Sequence, residues 1–271
     1  MDEAITLKKK QRGAKEYSSN YDRSMNVAWW HVCNNKLFKK WRREITRGSL
    51  LLDLGCGTGR SSRPFVTDNQ VCGIDISIHM LNEAKKLNSE NLFLVAGDIE
   101  YLPMKDETFD VVISYGCLHH LPDPFKGLRE AYRVLKFGGK LFLLEANRTK
   151  LRGIDDFYGT LFKFVICILH FRWRFKSIDK TILKTDKDKD ENTHPGHPGK
   201  RYSHQYIKEL EAMSVKFNIS TILFSFIPRQ AFWNNHFLAK STIKLDQLLD
   251  RLPLLRGKGH VMILEIKKEK K

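Results

Sequence analysis

Leu51-Leu52-Asp53-Leu54-Gly55-Cys56-Gly57-Thr58-Gly59-Arg60 is the stretch that decides the fold. A short apolar run, 50–54, enters three glycines at alternate positions, and residues 60–66 can form a following helix. Glycine lets the backbone turn sharply and lets a ligand approach where a Cβ would stand in the way. The start of the next helix would add free N–H groups and the positive end of its dipole, suited to a carboxylate or phosphate. Taken alone, the same residues also describe a plain structural turn, so the reading depends on what surrounds them.

Working outward, strand and helix signals alternate. Residues 71–76 read as a second strand, with Ser77 as N-cap of a helix that places Met80, Leu81, Ala84 and Leu87 on one face. Residues 92–96 read as a third strand and 109–115 as a fourth, where Val111, Val112 and Ile113 follow one another as in a strand covered on both faces. A helix over 128–135, a turn at Gly138–Gly139 and a fifth strand over 140–145 complete the run. This alternation predicts a doubly wound α/β fold with a mostly parallel sheet and right-handed crossovers. Asp75 ends the second strand 20 positions after Gly55, where a carboxylate can accept both ribose hydroxyls of a nucleoside. Asp98 follows the third strand in Ala96-Gly97-Asp98-Ile99, placed to accept from an adenine amino group. Each aspartate alone could be a cap or turn residue. Together, after a G-x-G-x-G loop and not the G-x-G-x-x-G of a dinucleotide site, they point to a nucleoside.

Before this core, residues 1–20 read as a polar arm and 24–47 as helix, broken or joined near Asn34–Asn35. After it, residues 148–205 carry an aromatic stretch, the run KTDKDKDEN and then HPGHPGKR, read as an inserted helical lid ending in a loop. Helix over 206–213, strand over 219–227, helix over 243–252 and strand over 261–267 bring the strands to seven. The expected organisation is an N-terminal arm and helix (1–49), a cofactor core (50–147), the insertion (148–205) and the rest of the sheet (206–271).

The pieces LLDLGCGTGR, VCGIDIS, AGDIEYLPMKDETFDVVISYGCLHHLPDP and LKFGGKLFLLE stand in that order over about residues 45–147. They resemble the class I S-adenosylmethionine (SAM)-dependent methyltransferases, especially the small-molecule, type 11 branch that includes quinone-biosynthesis C-methyltransferases. The resemblance implies a Rossmann-like seven-stranded sheet whose last two strands form a reversed hairpin, with the helical insertion between strands five and six. It implies SAM as cofactor, with Gly55, Gly57 and Gly59 around the methionine moiety, Asp75 on the ribose and Asp98 with Ile99 on the adenine. Tyr115 and Gly116 would line the methyl-transfer cleft, and Asp53, Cys56, Ile76 and Met80 complete the expected cofactor-binding set. Tyr17 or Tyr21 would close over the cofactor. Ser114-Tyr115-Gly116-Cys117 stands where a [DN]-P-P-[YF] motif would serve exocyclic base amines, which argues against DNA N-methylation.

Methyl transfer from a sulfonium is an in-line displacement, so alignment and exclusion of water do most of the work. A base matters only where the acceptor must first lose a proton. His119 and His120, at the mouth of the fourth strand, are the candidates for that catalytic role; the alternative is that they shape the loop through hydrogen bonds. No metal is expected. The five cysteines form no C-x-x-C pair, and His194, His197 and His204 lie among prolines and glycines as loop residues do.

The formal charge of +16 is uneven: +7 before residue 50, −3 across 50–147, and +6 in each of 148–205 and 206–271. The basic excess thus lies outside the cofactor core. It fits a nucleic acid, an anionic lipid surface, an acidic substrate or simply a lysine-rich background. The apolar residues of 157–171 followed by Arg172, Arg174 and Lys176 read as an amphipathic lid for a hydrophobic, lipid-like acceptor or as a peripheral membrane contact, and equally as an ordinary core helix. The leading expectation is methylation of a small, hydrophobic acceptor; RNA methylation on the basic surface and a non-catalytic SAM sensor or scaffold are the rivals. No obligate protein partner is inferred. The polar N-terminus lacks the apolar core of a secretory signal, and no stretch reaches the ~20 apolar residues of a membrane span, so a cytoplasmic location is expected.

Overall fold

Apolar residues at every second position of a strand face one side of a sheet, and the central strands here are apolar on both sides. The computed structural model describes Tyr21, residues 28–146, 202–213 and 215–222, Lys244, Leu248, Arg251 and residues 261–269. Its elements are α1 (Ala28–Glu44), β1 (Leu50–Leu54), β2 (Gln70–Asp75), α2 (Ile78–Ala84), β3 (Leu92–Ala96), β4 (Phe109–Tyr115), α3 (Pro124–Val134), β5 (Leu135–Ala146), α4 (Tyr202–Ala212), β6 (Phe217–Ile222) and β7 (Val261–Lys267). The strands form one seven-stranded sheet in the order β3-β2-β1-β4-β5-β7-β6. β1 to β5 pair in parallel, whereas β7 runs antiparallel to both β5 and β6. The expected doubly wound sheet with a reversed terminal hairpin is therefore the observed one.

Two cores sandwich the sheet, and the period of two decides which residues enter which. Leu51, Val111, Ile113, Phe142, Leu144, Val261 and Ile263 join Leu37, Phe38, Trp41 and Ile45, which follow the helical stripe of α1 into Ile45 just beyond it. Their strand neighbours Leu52, Leu54, Val112, Leu141, Leu143, Met262 and Leu264 face the other way, against Leu128 and Ala131 of α3 and Tyr206 and Leu210 of α4. Trp41 is fully buried and stacks on Phe142 at 5.2 Å between ring centroids. The helix continues through Asn34–Asn35 without a break. Asn34 is buried, and its side-chain carbonyl accepts a hydrogen bond from the Tyr115 hydroxyl, so this polar residue is satisfied inside the packed face.

Several boundaries differ from expectation. Residues 60–66 form successive turns in place of a regular helix: Arg63 N donates to Gly59 O at 2.9 Å, but Phe65 N donates to Ser62 O at 2.9 Å. Pro64 has no N–H to give Arg60, and Ser61 and Ser62 turn back to Asp53. α3 starts at Pro124, four residues before the expected 128, because Asp123 Oδ1 caps it through Phe125 N (2.9 Å) and Lys126 N (3.1 Å) with proline at the first turn. Gly138 and Gly139 lie within β5, where pairing with β4 jumps from Phe109–Leu135 to Val111–Lys140. The turn expected there is thus a strand irregularity, with Gly138 at φ +80. α4 begins at Tyr202, inside the segment assigned to the insertion. The amphipathic lid, the histidines His194 and His197, the strand residues 223–227 and nearly all of the 243–252 helix lie outside the described residues. Among the described residues, no helix is long and apolar enough to cross a membrane.

Candidate active site

In a doubly wound sheet the ligand crevice lies beyond the carboxyl ends of the strands, where the strand order reverses. Here that point falls between β1 and β4, which pair from Leu51–Val111 to Leu54–Ser114. The loops leaving these strands carry Gly55–Gly59 on one side and Gly116–His120 on the other.

The first loop is locked by the neighbouring strand: Gly55 N and Cys56 N both donate to Ile74 O, at 2.8 and 3.1 Å. Gly55, Gly57 and Gly59 all have positive φ, at +66, +55 and +78. They are not equivalent. A Cβ on Gly55 would lie 2.0 Å from Cys117 Sγ, and one on Gly59 would lie 2.6 Å from Leu87 Cδ1. On Gly57 the nearest atom would be Gly55 O, 4.0 Å away. Gly55 is thus required by packing of the protein on itself, Gly59 meets the flexible end of Leu87, and Gly57 borders open space.

Asp75 closes the loop from β2. Its Oδ2 accepts Gly57 N at 2.9 Å and its Oδ1 accepts Ser77 N at 2.8 Å. A carboxylate offers about four lone-pair sites, an acceptor set suited to meeting both the loop and a diol. Asp75 pairs in register with Ala96, which places Asp98 two residues beyond it at the end of the adjacent strand. Asp98 Oδ1 accepts Glu100 N at 3.0 Å, capping a single turn of 3₁₀ helix; Oδ2 has no donor among the described residues. These two half-buried carboxylates and the gap at Gly57 suit a nucleoside carrying a diol and an amino group.

Other predicted site residues fall further inside. Asp53 is 0% exposed, and Oδ2 accepts the hydroxyls of Ser61 (2.7 Å) and Ser62 (2.5 Å) while Oδ1 is buried without a hydrogen-bond partner among the described residues. Burial pushes its carboxyl up to about 6 against the pull of the two serines, with the Asp75 charge adding to the rise. Cys56 is buried with Sγ 2.8 Å from a Cβ built on Gly73, and burial raises its thiol well above the ordinary range. Met80 is buried on α2, and Ile99 is buried between Gly55 and Gly127. Ile76, 43% exposed, faces outward beside Asp75. Tyr21 is helical and half-buried, and Tyr17 lies outside the described residues.

The second loop is held by a residue the sequence did not announce. Glu145, near the end of β5, is 0% exposed. Its Oε1 accepts Leu118 N at 3.0 Å, Cys117 N at 3.2 Å and the Ser114 hydroxyl at 3.3 Å. Its Oε2 accepts His119 N at 3.2 Å and lies 2.7 Å from His119 Nδ1. Gly116, at φ +65, donates to Leu144 O at 2.6 Å and leaves its Cβ position 3.9 Å from His119 Cε1. The rings of His119 and His120 are 3.9 Å apart. The only hint in the sequence was a glutamate amid the apolar residues of β5, at a position where an unpaired charge is not tolerated.

A seven-stranded sheet with this topology, a glycine loop at the reversal point and two acidic strand ends define the class I methyltransferase architecture. Residues 52–143 match the family described as "Methyltransferase domain". Over 164 residues the chain is 35% identical to the demethylmenaquinone methyltransferases of Staphylococcus epidermidis and Staphylococcus aureus. The match covers 56% of this chain and 66% of each relative, so it spans just under two thirds of their length. Among solved structures, a SAM-dependent methyltransferase of Thermotoga maritima superposes with a TM-score of 0.56 at 18% identity, over 94% of this chain and 98% of its own. The [4+2]-cyclase SpnF superposes with a TM-score of 0.54 at 19% identity, over 89% and 83%. At such identities the likeness is one of fold, and the cyclase marks how far the chemistry on this fold can range.

Proposed function

We propose that this chain moves the methyl group of SAM to a small, hydrophobic, quinone-like acceptor. The observation that carries the cofactor reading is the pair Asp75 and Asp98 at adjacent strand ends beside the open face of Gly57. Asp75 would hold the ribose hydroxyls, Asp98 Oδ2 the adenine amino group, and the loop 55–59 the methionine moiety. When bound, SAM supplies a methyl group on a sulfonium, open to in-line displacement. The chain then has to align the acceptor and exclude water, worth several kcal/mol of barrier.

The quinone-like acceptor is supported by the demethylmenaquinone methyltransferases at 35% identity and by the apolar stretch 157–171, read as a lid. A basic surface acting on RNA is the rival. Many of the described basic residues are already paired, as Lys40 is with Glu265, Arg129 with Glu209 and Arg133 with Glu130. The test is incubation of the protein with methyl-labelled SAM and a fractionated cell extract. Label in the organic-soluble fraction supports the reading; label in RNA replaces it. SAM binding with no transfer to any fraction turns the chain into a SAM sensor or scaffold.

A further inference from the structure

The Glu145–His119 contact carries a role that neither the motif nor the fold assigns. A buried carboxylate must be paired or saturated with hydrogen bonds. Glu145 achieves this with three backbone N–H groups and one hydroxyl, all from the end of β4 and the loop after it, and with the imidazole of His119. The backbone bonds fix where the loop lies. The side-chain contact at 2.7 Å additionally fixes a tautomer, because a carboxylate accepting from Nδ1 requires the proton on Nδ1. Nε2 is then the ring's acceptor. The imidazole is 22% exposed while the carboxylate is 0% exposed, so the open edge of the ring is the one turned away from Glu145. His119 has no second side-chain hydrogen bond among the described residues. Gly116 flanks the ring with open space, and His120 lies beside it at 3.9 Å.

We infer that Glu145 is a positioning residue that presents His119 Nε2 as proton acceptor to a phenolic or enolic hydroxyl of the methyl acceptor. The inference rests on the methyl-transfer reading and gives it a substrate class: an acceptor that must lose a hydroxyl proton to become nucleophilic, which for a quinone-like molecule is its reduced, hydroquinone form. Nε2 takes that proton, and the resulting imidazolium is stabilised by the Glu145 carboxylate. The electron pair left on oxygen, or delivered through the conjugated ring to carbon, forms the bond to the methyl group. The methyl–sulfur bond breaks with its pair returning to sulfur, which becomes a neutral thioether. For attack from carbon, loss of the ring C–H proton restores aromaticity, and the oxygen takes a proton back to regenerate the hydroxyl. In either case one proton is released to water per methyl group moved. The arrangement is the orienting-acid logic of a carboxylate–histidine pair, where a wrong tautomer disables an intact site.

The first test needs no acceptor. Nitrogen-15 NMR of the full chain, with His119 assigned by comparison with His119→Ala, is expected to show the neutral ring with its proton on Nδ1 and Nε2 bare. In Glu145→Gln the amide can offer its NH2 to the ring, and the tautomer is expected to invert. A wild-type His119 carrying its proton on Nε2 overturns the inference, whatever the chain methylates. The second test uses the labelled fraction from the extract experiment as acceptor. His119→Ala and Glu145→Gln are each expected to lower kcat about 100-fold, the lower range for a general base, with SAM affinity within about threefold of wild type. Turnover within about threefold of wild type in His119→Ala overturns the base role. Circular dichroism identifies a Glu145→Gln chain that has lost its fold, in which case His119→Ala decides. Absence of transfer in the wild type itself sinks the methyl-transfer reading and the inference built on it, and leaves the tautomer as a separate fact.

Discussion

Cys117 Sγ fills the space into which a side chain on Gly55 would have to grow: a Cβ built on that glycine falls 2.0 Å from the sulfur and 2.7 Å from Cys117 Cβ. The loops leaving β1 and β4 are therefore interlocked at the reversal point of the sheet. Gly55→Ala is expected to separate them. It adds a steric conflict that flexible side chains cannot absorb and a positive φ unfavourable to alanine, together several kcal/mol. Thermal denaturation should show the loss as a markedly lower midpoint or an insoluble chain. A midpoint within about 2 °C of wild type would mean the two loops can part freely.

Gly57→Ala makes the opposite prediction at the same loop. Nothing but Gly55 O, at 4.0 Å, lies near the new methyl group, so the cost to stability is the backbone term of about 1–2 kcal/mol. The methyl group would instead enter the space proposed for the cofactor. Calorimetry should find SAM affinity down by at least tenfold in a folded protein. Unchanged affinity would move the methionine moiety away from Gly57.

Asp75→Asn should weaken SAM binding more than Asp98→Asn. Both oxygens of Asp75 already accept backbone N–H groups, from Gly57 and Ser77. An amide NH2 must oppose one of them, which disturbs the loop as well as removing a charged acceptor from the ribose. Hydrogen bonds to charged groups are worth about 1.5–3 kcal/mol, so a loss of roughly 10- to 100-fold is expected. Asp98 accepts a single backbone bond, from Glu100 N, and the amide oxygen of the asparagine variant can keep it; a loss of only a few-fold is expected. The reverse ranking in a calorimetric titration would exchange their assigned roles.

What was legible in the sequence was the local part. β3, β4 and β7 have the bounds their apolar runs predict, and Asp75 and Asp98 stand at the strand ends where the pattern put them. What escaped was non-local. The helix over 60–66 failed because Ser61 and Ser62 answer to Asp53, a buried carboxylate on the preceding strand. Whether the helix breaks or joins near Asn34 stayed open in the sequence because the partner of Asn34, Tyr115, is 81 residues away. Glu145 was not legible as a site residue, although it stands amid apolar strand residues, because its partners lie in the loop 26–31 residues before it.

Asp53 should leave a signature in the pH dependence of stability. Its folded pKa of about 6, against an ordinary 3.8, means the fold prefers the protonated acid. Its contribution is therefore fully present below about pH 4 and is lost as pH rises through 6, a change of about 3 kcal/mol at most. Asp53→Asn keeps one oxygen, as many as the two serines share, and cannot ionise. Subtracting its urea-unfolding curve from that of the wild type should show the wild type losing stability between about pH 4 and 6.5. A flat difference would mean that Asp53 ionises in the fold without cost.

Lys268 sets burial against bonding. Its ammonium lies under the end of α3, donating to Leu135 O at 2.7 Å, Tyr132 O at 3.0 Å and Arg133 O at 3.4 Å, and only 7% of the residue is exposed. Burial lowers its pKa, so carrying the charge there costs stability at neutral pH, a cost relieved only as the solution becomes alkaline enough to deprotonate it. Against this, replacing the lysine takes a donor from the carbonyls at the helix end; Arg133 O keeps Glu107 N at 3.1 Å, and a buried carbonyl left unmet costs about 1–3 kcal/mol. With three carbonyls served by one ammonium, the bonding side should prevail. Lys268→Met, which nearly keeps the side-chain length and removes the charge, is expected to destabilise the protein by about 2 kcal/mol in urea at pH 7. A gain in stability would show that desolvation of the ammonium outweighs the cap, and that the lysine is held there at a net loss.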